Sequence, residues 1–312
     1  MRFLVLLSLL LALSSHAEDL GKPFGKLNDV QKFKDYTVRI YRNEQPPPDN
    51  DKNPDHQDGM GCFEILKAGK QVYFKTGVIF TVENDANETN NSFGVKLGQS
   101  ILGDKQPDLV IYEVNGGSNP GCDYYIFQIG DTFRFIDTLK NTGGGDFRDM
   151  RGDGNLELMT CDVVTFQGWN CCEVDSPHPT VIYRYLNGKY RPDLEMMKKP
   201  APSEKELQRM GKELKAKFGG VYIAYRPAPL PDDNTRYADN KWAAPTEMWQ
   251  KMLDLIYSGN MASAWKLCEL SWPAKHPGKA AFLKEFTAQL MTSPFYNDIN
   301  RADFQGIAVH KG

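Results

Sequence analysis

Thr180-Val181-Ile182-Tyr183-Arg184-Tyr185-Leu186-Asn187-Gly188-Lys189-Tyr190 sets a run of β-branched and aromatic residues and a short return segment around an Asn-Gly pair. Asn and Gly both tolerate positive φ, which a two-residue turn between twisted antiparallel strands requires, so the stretch reads as a β-hairpin. Alternation within VIYRYL leaves one face apolar and the other mixed, the pattern of a sheet with one face on a core. Two more stretches have the same form, Cys62 to Phe74 around Gly69 and Asp123 to Ile136 around Gly130. The turn glycines are 61 and 58 residues apart, so an internal repeat is expected.

The second and third hairpins are each preceded by an acidic turn and another strand. The first such segment runs from Gly103 to Tyr112 and the second is Asp149-Met150-Arg151-Gly152-Asp153-Gly154-Asn155-Leu156-Glu157-Leu158. Aligning Asp108 with Glu157 gives a spacing of 49. Over about residues 60 to 195 the chain resembles the FG-GAP or VCBS-type repeats of secreted bacterial proteins and integrin propellers, whose turns read D-x-[DN]-G-D-G-x-x-D-L. That resemblance implies blade-like sheets, and three units are fewer than the four to eight blades of a closed ring. It also implies calcium at the turn, with Asp149, Asp153, the Asn155 carbonyl and Glu157 as ligands, because a hard divalent ion needs six to eight oxygens. Arg151 departs from the pattern, standing where the family has Asn or Asp. At 4 Å and an effective dielectric of 20 it would repel a divalent ion by roughly 8 kcal/mol unless its side chain turned away. The same residues also suit an acidic β-turn satisfied by its own backbone and by Arg151. The earlier turn has Ser100, Leu102 and Lys105 at the other key positions and is a poorer candidate.

Beyond Lys198-Lys199-Pro200-Ala201-Pro202 the period becomes helical. Ser203 followed by Glu206 is a capping box opening a helix through about Phe218, which Gly219-Gly220 stops. Arg226 to Pro245 reads as loop. Pro245-Thr246 opens a helix carrying Trp249, Met252, Leu253, Ile256 and Tyr257. Gly259-Asn260 breaks it, a second helix carries Ala264, Trp265, Cys268 and Trp272, and Lys279 to Met291 forms a third. The hairpin near 246–272 resembles a single tetratricopeptide unit. The expected architecture is therefore α+β: a β domain of three blade-like antiparallel meanders over 18–200, then a small all-α domain over 201–312 that includes the 226–245 loop.

Residues 1–17, MRFLVLLSLLLALSSHA, have a basic start, an apolar run and small residues at Ser15 and Ala17, the pattern of a secretory signal peptide. In an exported chain the six cysteines, at 62, 122, 161, 171, 172 and 268, suggest one or two disulfides, worth roughly 3 kcal/mol each for loops near 15 residues. Cys268, in a helical pattern, reads as a small apolar core residue. With 41% hydrophobic residues, 25% charged residues and a formal net charge of -3, the 312-residue chain has the composition of an ordinary globular protein and lacks the basic excess of a nucleic-acid binder.

No HExxH, GxSxG, GxxxxGK[ST] or GxGxxG string is present. Ser263-Ala264-Trp265-Lys266, Ser258-Gly259-Asn260 and Lys75-Thr76-Gly77 echo acyl-serine signatures, but in the wrong order. The loops Gly168-Trp169-Asn170 and Asn115 to Pro120 could line a rim, and the acidic stretch Pro46 to Gly59 reads as a solvated loop. The expected function is an exported, non-enzymatic binding or interaction module whose partner is a protein or envelope component, with no nucleic acid and no transmembrane segment. The alternative is an envelope hydrolase acting on glycan or peptide through loop carboxylates, and two raised carboxyl pKa values in one cleft would favour it.

Overall fold

The computed structural model describes residues 21–43, 61–82, 94–114, 121–171, 175–218, 244–301 and 304–305. Residues 1–17, read as a signal peptide, the stretches 46–59 and 115–120 read as loops, Cys172, Gly219-Gly220 and residues 226–243 lie outside them. The chain divides into two compact units, Met1–Phe80 and Thr81–Gly312.

In the first unit, β1 (Lys26–Phe33), β2 (Tyr36–Arg42), β3 (Gly61–Lys67) and β4 (Lys70–Gly77) form an antiparallel sheet in chain order. β3 and β4 turn at Ala68-Gly69, whose φ values of 49° and 78° suit a tight two-residue hairpin. Tyr36, Val38, Ile40, Phe63 and Ile65 are buried. Glu64, also buried, accepts hydrogen bonds from Tyr41 Oη at 2.8 Å, Gln71 Nε2 at 2.9 Å and Arg39 Nη1 at 3.3 Å. A charge removed from water in this way needs such partners.

The second unit continues the theme. β5 (Ile79–Val82), within which the division falls, is the edge strand of a sheet with β6 (Asp108–Val114), β7 (Cys122–Ile129) and β8 (Phe133–Thr142). A third sheet orders β12 (Lys189–Pro192), β11 (Thr180–Leu186), β10 (Glu157–Cys161) and β9 (Asp146–Arg148). All three sheets are thus four-stranded meanders in which chain neighbours pair. The turn read from Asn187-Gly188 is present, with φ of 53° and 88°.

The helices are α1 (Leu194–Met197), α2 (Glu204–Lys215), α3 (Thr246–Tyr257), α4 (Met261–Ser271), α5 (Lys279–Leu290) and α6 (Tyr296–Ile299). The Ser203–Glu206 capping box forms in full. At Gly211 on α2, a Cβ would come within 2.6 Å of the Leu270 Cβ on α4, so the close approach of these helices depends on that glycine. The seam expected near residue 200 does not coincide with the division at Phe80–Thr81, and among the described residues the helices share a core with the sheets of the second unit. Leu207, Trp249, Leu253, Ile256, Leu267, Phe282 and Phe286 join one continuous buried core with Tyr124, Ile126, Leu158 and Val181 of the sheets. The reason is physical: the second and third sheets have an apolar face to cover, and the amphipathic helices cover it. Among the described residues no helix is long and apolar enough to cross a membrane.

A buried polar hub fastens helix to sheet. Asp162, just past β10, accepts from Thr165 Oγ1 at 2.5 Å, Tyr257 Oη at 2.6 Å and Ser293 Oγ at 3.1 Å, and from the backbone amides of Val164 and Thr165. Cys268 is buried, as expected, and desolvation pushes its thiol up to about 12. No disulfide joins any two of Cys62, Cys122, Cys161, Cys171 and Cys268 in the structure.

Candidate functional site

The two acidic turns are structural repeats at the spacing of 49. In the first, Asp108 Oδ2 accepts from the backbone amide of Ile101 at 2.8 Å; in the second, Glu157 Oε2 accepts from that of Met150 at 3.0 Å. Asp104 Oδ1 accepts from the amide of Gln106, and Asp153 Oδ1 from that of Asn155. Positive φ recurs at Gly103 (75°) and Gly152 (72°), and again at Lys105 (62°) and Gly154 (82°). The turns also lie side by side: Leu102 bridges Asn155, and the amide of Leu156 donates to the Ile101 carbonyl at 2.9 Å.

Where the repeats differ, arginine enters. Leu102, buried in the first turn, has Arg151 as its counterpart in the second. Gln128, which donates to Asp104 at 2.6 Å, has as its counterpart Arg184, whose Nη2 donates to Asp153 Oδ2 at 2.8 Å. Arg151 Nη2 donates to Asp193 Oδ2 at 2.7 Å and to Glu195 Oε2 at 3.1 Å. The Nε atoms of the two arginines lie 3.8 and 3.6 Å from Glu157 Oε1, and Glu157 is fully buried. None of these three atoms has a hydrogen-bond partner in the structure. Two donors and one acceptor at that spacing suit a bridging water, which can accept from both guanidinium groups and donate to the carboxylate.

This geometry shows how the residues nominated as calcium ligands are used. Asp149 accepts from the amides of Gly152, Asp153 and Gly154. Asp153 is held below its usual pKa, first by hydrogen bonds from Asn155 and then by Arg184 and Arg151. Glu157 is divided between Met150 and the two arginines, and Asn155 donates its side-chain amide to Asp153. The carboxylates do not suit a divalent ion, because their oxygens are engaged by protein donors and the one that lacks a hydrogen bond, Glu157 Oε1, faces two cations. Among the described residues no group of three or more His, Cys, Asp or Glu side chains is placed to hold a metal.

The same arginines line a cleft of about 510 Å³. β12 ends at Pro192, which has no amide to continue the ladder, and Asp193 then caps α1 by accepting from the Met196 amide at 3.1 Å. The chain therefore leaves the sheet with Asp193 and Glu195 over Arg151. Arg191, Lys198 and Arg301 add further positive charge to the lining, while Leu186, Leu194 and Phe304 supply apolar wall. Arg191 stands directly opposite Arg184 across the β11–β12 ladder. Arg184 is compensated by Asp153 and Glu157, whereas Arg191 makes no ion pair among the described residues.

Of the nominated loop residues, half-buried Trp169 packs against the core, its ring 5.1 Å from Trp249 and 5.3 Å from Phe166. Lys266, of the first acyl-serine string, pairs with Glu204, and Asn260, of the second, donates its Nδ2 to the Lys199 carbonyl at 3.0 Å. His276 packs beside the rings of Phe218 and Trp272. The cleft itself was not foreseen from sequence. Its one legible sign was the anomaly at Arg151. Comparison of the chain with family models, curated proteins and solved structures gives no match.

Proposed function

We propose that the protein is an exported, non-enzymatic binding module whose ligand occupies the cleft lined by the β11–β12 hairpin, α1, Arg301 and Phe304. The observation that carries this reading is the divergence of the two turn repeats. The first turn buries Leu102 and holds Asp104 with Gln128, and the second replaces Leu102 and Gln128 with arginines that wall an open cleft. Buried polar networks that cost desolvation are expected where a surface is being shaped for a ligand. Exposed Leu186 and half-buried Leu194 give the cleft an apolar side, which is what a recognition site needs in addition to charge.

The hydrolase alternative calls for a pair of perturbed carboxyls in one cleft. Burial raises Asp108 and Asp254, and neither lines this cleft. The test is a melting-temperature screen of the full mature chain against short peptides and glycan fragments, alongside Leu186→Trp, which fills the cleft from an exposed position. Binding that raises the wild-type melt by several degrees and is lost in the variant supports the reading. Turnover of a peptide or glycan, lost when cleft carboxylates are changed, would replace it with the hydrolase.

A further inference from the structure

We infer that the cleft recognises an oxyanion, a carboxylate or phosphate group attached to an apolar body, and that Arg191 is the residue that takes it. The inference rests on the binding reading above and specifies its ligand.

Three observations converge. The first is position: Arg191 shares the cleft wall with Arg151 and Arg184, whose counter-charges are accounted for by Asp193, Glu195, Asp153 and Glu157.

The second is the cross-strand pair. Arg184 and Arg191 face each other on neighbouring strands, both on the cleft face, where paired side chains lie about 5 Å apart at Cβ and like charges destabilise. Arg184 has its own counter-charges, Asp153 at 2.8 Å and Glu157 at 3.6 Å. Arg191 is exposed and has none among the described residues. An anion between the two strands would supply the missing charge, and a guanidinium offers it a planar, two-pronged donor.

The third observation is the rigidity of what lies behind. Arg151 is tied to Asp193 and Glu195, and Asp193 is itself fixed as the cap of α1. Those carboxylates are engaged with Arg151 instead of reaching across to neutralise Arg191. The apolar wall of Leu186, Leu194 and Phe304 completes a site for a ligand whose charged end meets Arg191 and whose body lies on hydrocarbon.

The experiment compares wild type, Arg191→Gln and Arg191→Lys by thermal melting and calorimetric titration at constant ionic strength. The probes are inorganic phosphate, tri-glutamate peptide and tri-lysine peptide, with chloride as reference. Wild type is expected to gain several degrees with phosphate or tri-glutamate and nothing with tri-lysine. Arg191→Gln should bind the anionic probe about tenfold or more weakly, since a charge-assisted hydrogen bond is lost, and Arg191→Lys should fall between. In chloride alone Arg191→Gln should melt at or above wild type, because the cross-strand repulsion is relieved; that comparison also shows that the variant folds. A response to phosphate alone assigns the group as phosphate, and a response to tri-glutamate alone assigns it as carboxylate. The inference is overturned if Arg191→Gln responds as wild type does, or if neither anionic probe produces a response. Tri-lysine binding that Leu186→Trp abolishes would likewise overturn it while leaving the binding reading standing.

Discussion

Asp108 and Glu157 occupy the same position in two copies of one turn, yet their surroundings differ in a way that has a thermodynamic signature. Both are fully buried, but Glu157 faces Arg151 and Arg184, whereas Asp108 has no cation beside it. Desolvation pushes the Asp108 carboxyl up to about 6, against the pull of the Ile101 and Leu102 amides. A carboxyl raised in the native state contributes stability that is complete below its unfolded pKa and is lost as pH rises through the native value. Stability should therefore fall between about pH 4 and pH 6, by about 2–3 kcal/mol from this group. Asp108→Asn keeps an acceptor for the two amides and should flatten that fall; denaturant unfolding at pH 4.5 and pH 7 measures it, and an unchanged slope would count against the assignment. Gly103 offers a second check. Its φ is 75°, and a Cβ would lie 2.1 Å from Asn155 Oδ1. Gly103→Ala should cost about 1–2 kcal/mol by denaturant titration, whereas Gly69→Ala, with similar φ and open space, should cost less than that. At this scale the sequence was informative: the positive-φ turn at Asn187-Gly188 and the anomaly at Arg151 were both legible. The direction in which Arg151 points was not, because Asp193 and Glu195 lie more than 40 residues away and are brought to it by the end of β12.

Elements with a strong period or a capping signal could be read in advance. The three hairpins, the Ser203–Glu206 helix and the helices near 246, 261 and 279 all form. β1 and β2 were missed because their turn, Lys34-Asp35, contains no glycine, although Lys34 adopts a φ of 53°. β1 is also largely exposed, so its alternation carries little apolar contrast. α1 is only four residues long and depends on Asp193 at its cap, which is too little pattern for a periodicity argument. How elements are joined was equally hidden: Asp162 and Tyr257 are 95 residues apart, and their 2.6 Å hydrogen bond ties α3 to the segment after β10. Tyr257→Phe removes one donor to a buried carboxylate while leaving the ring in place. It should cost about 1.5–3 kcal/mol, read as a lower denaturation midpoint with an unchanged denaturant slope. A loss below about 0.5 kcal/mol would mean that Thr165 and Ser293 satisfy Asp162 without it.

At the scale of the whole molecule, composition and turn chemistry gave an α+β reading with three blade-like meanders, and they put a seam near residue 200, where helices and sheets share a core. A change from period 2 to period 3.6 marks a change of secondary structure, and here it does not mark a change of core, because the helices and the second and third sheets are buried together. The cleft is non-local, assembled from the turn at 151, the strands at 184 and 191, and Arg301 and Phe304. Its integrity depends on Glu157, whose buried charge is compensated by Arg151 and Arg184. Arg151→Ala leaves that carboxylate with one cation in place of two, and Asp193 and Glu195 with none of their contacts to it. The cost should be about 3–5 kcal/mol, on the order of 10 °C in melting temperature.

The central claim is that arginine, and not a metal ion, supplies the positive charge of the Asp149–Glu157 turn and so builds the cleft. Calorimetric melting of the purified protein with calcium and then with excess chelator tests it most directly, run beside Asp153→Ala and Arg151→Ala. The account predicts one melting temperature for wild type in both solutions and a large fall for Arg151→Ala in either. A wild-type melt that rises by several degrees with calcium, and a rise that Asp153→Ala abolishes, would contradict it.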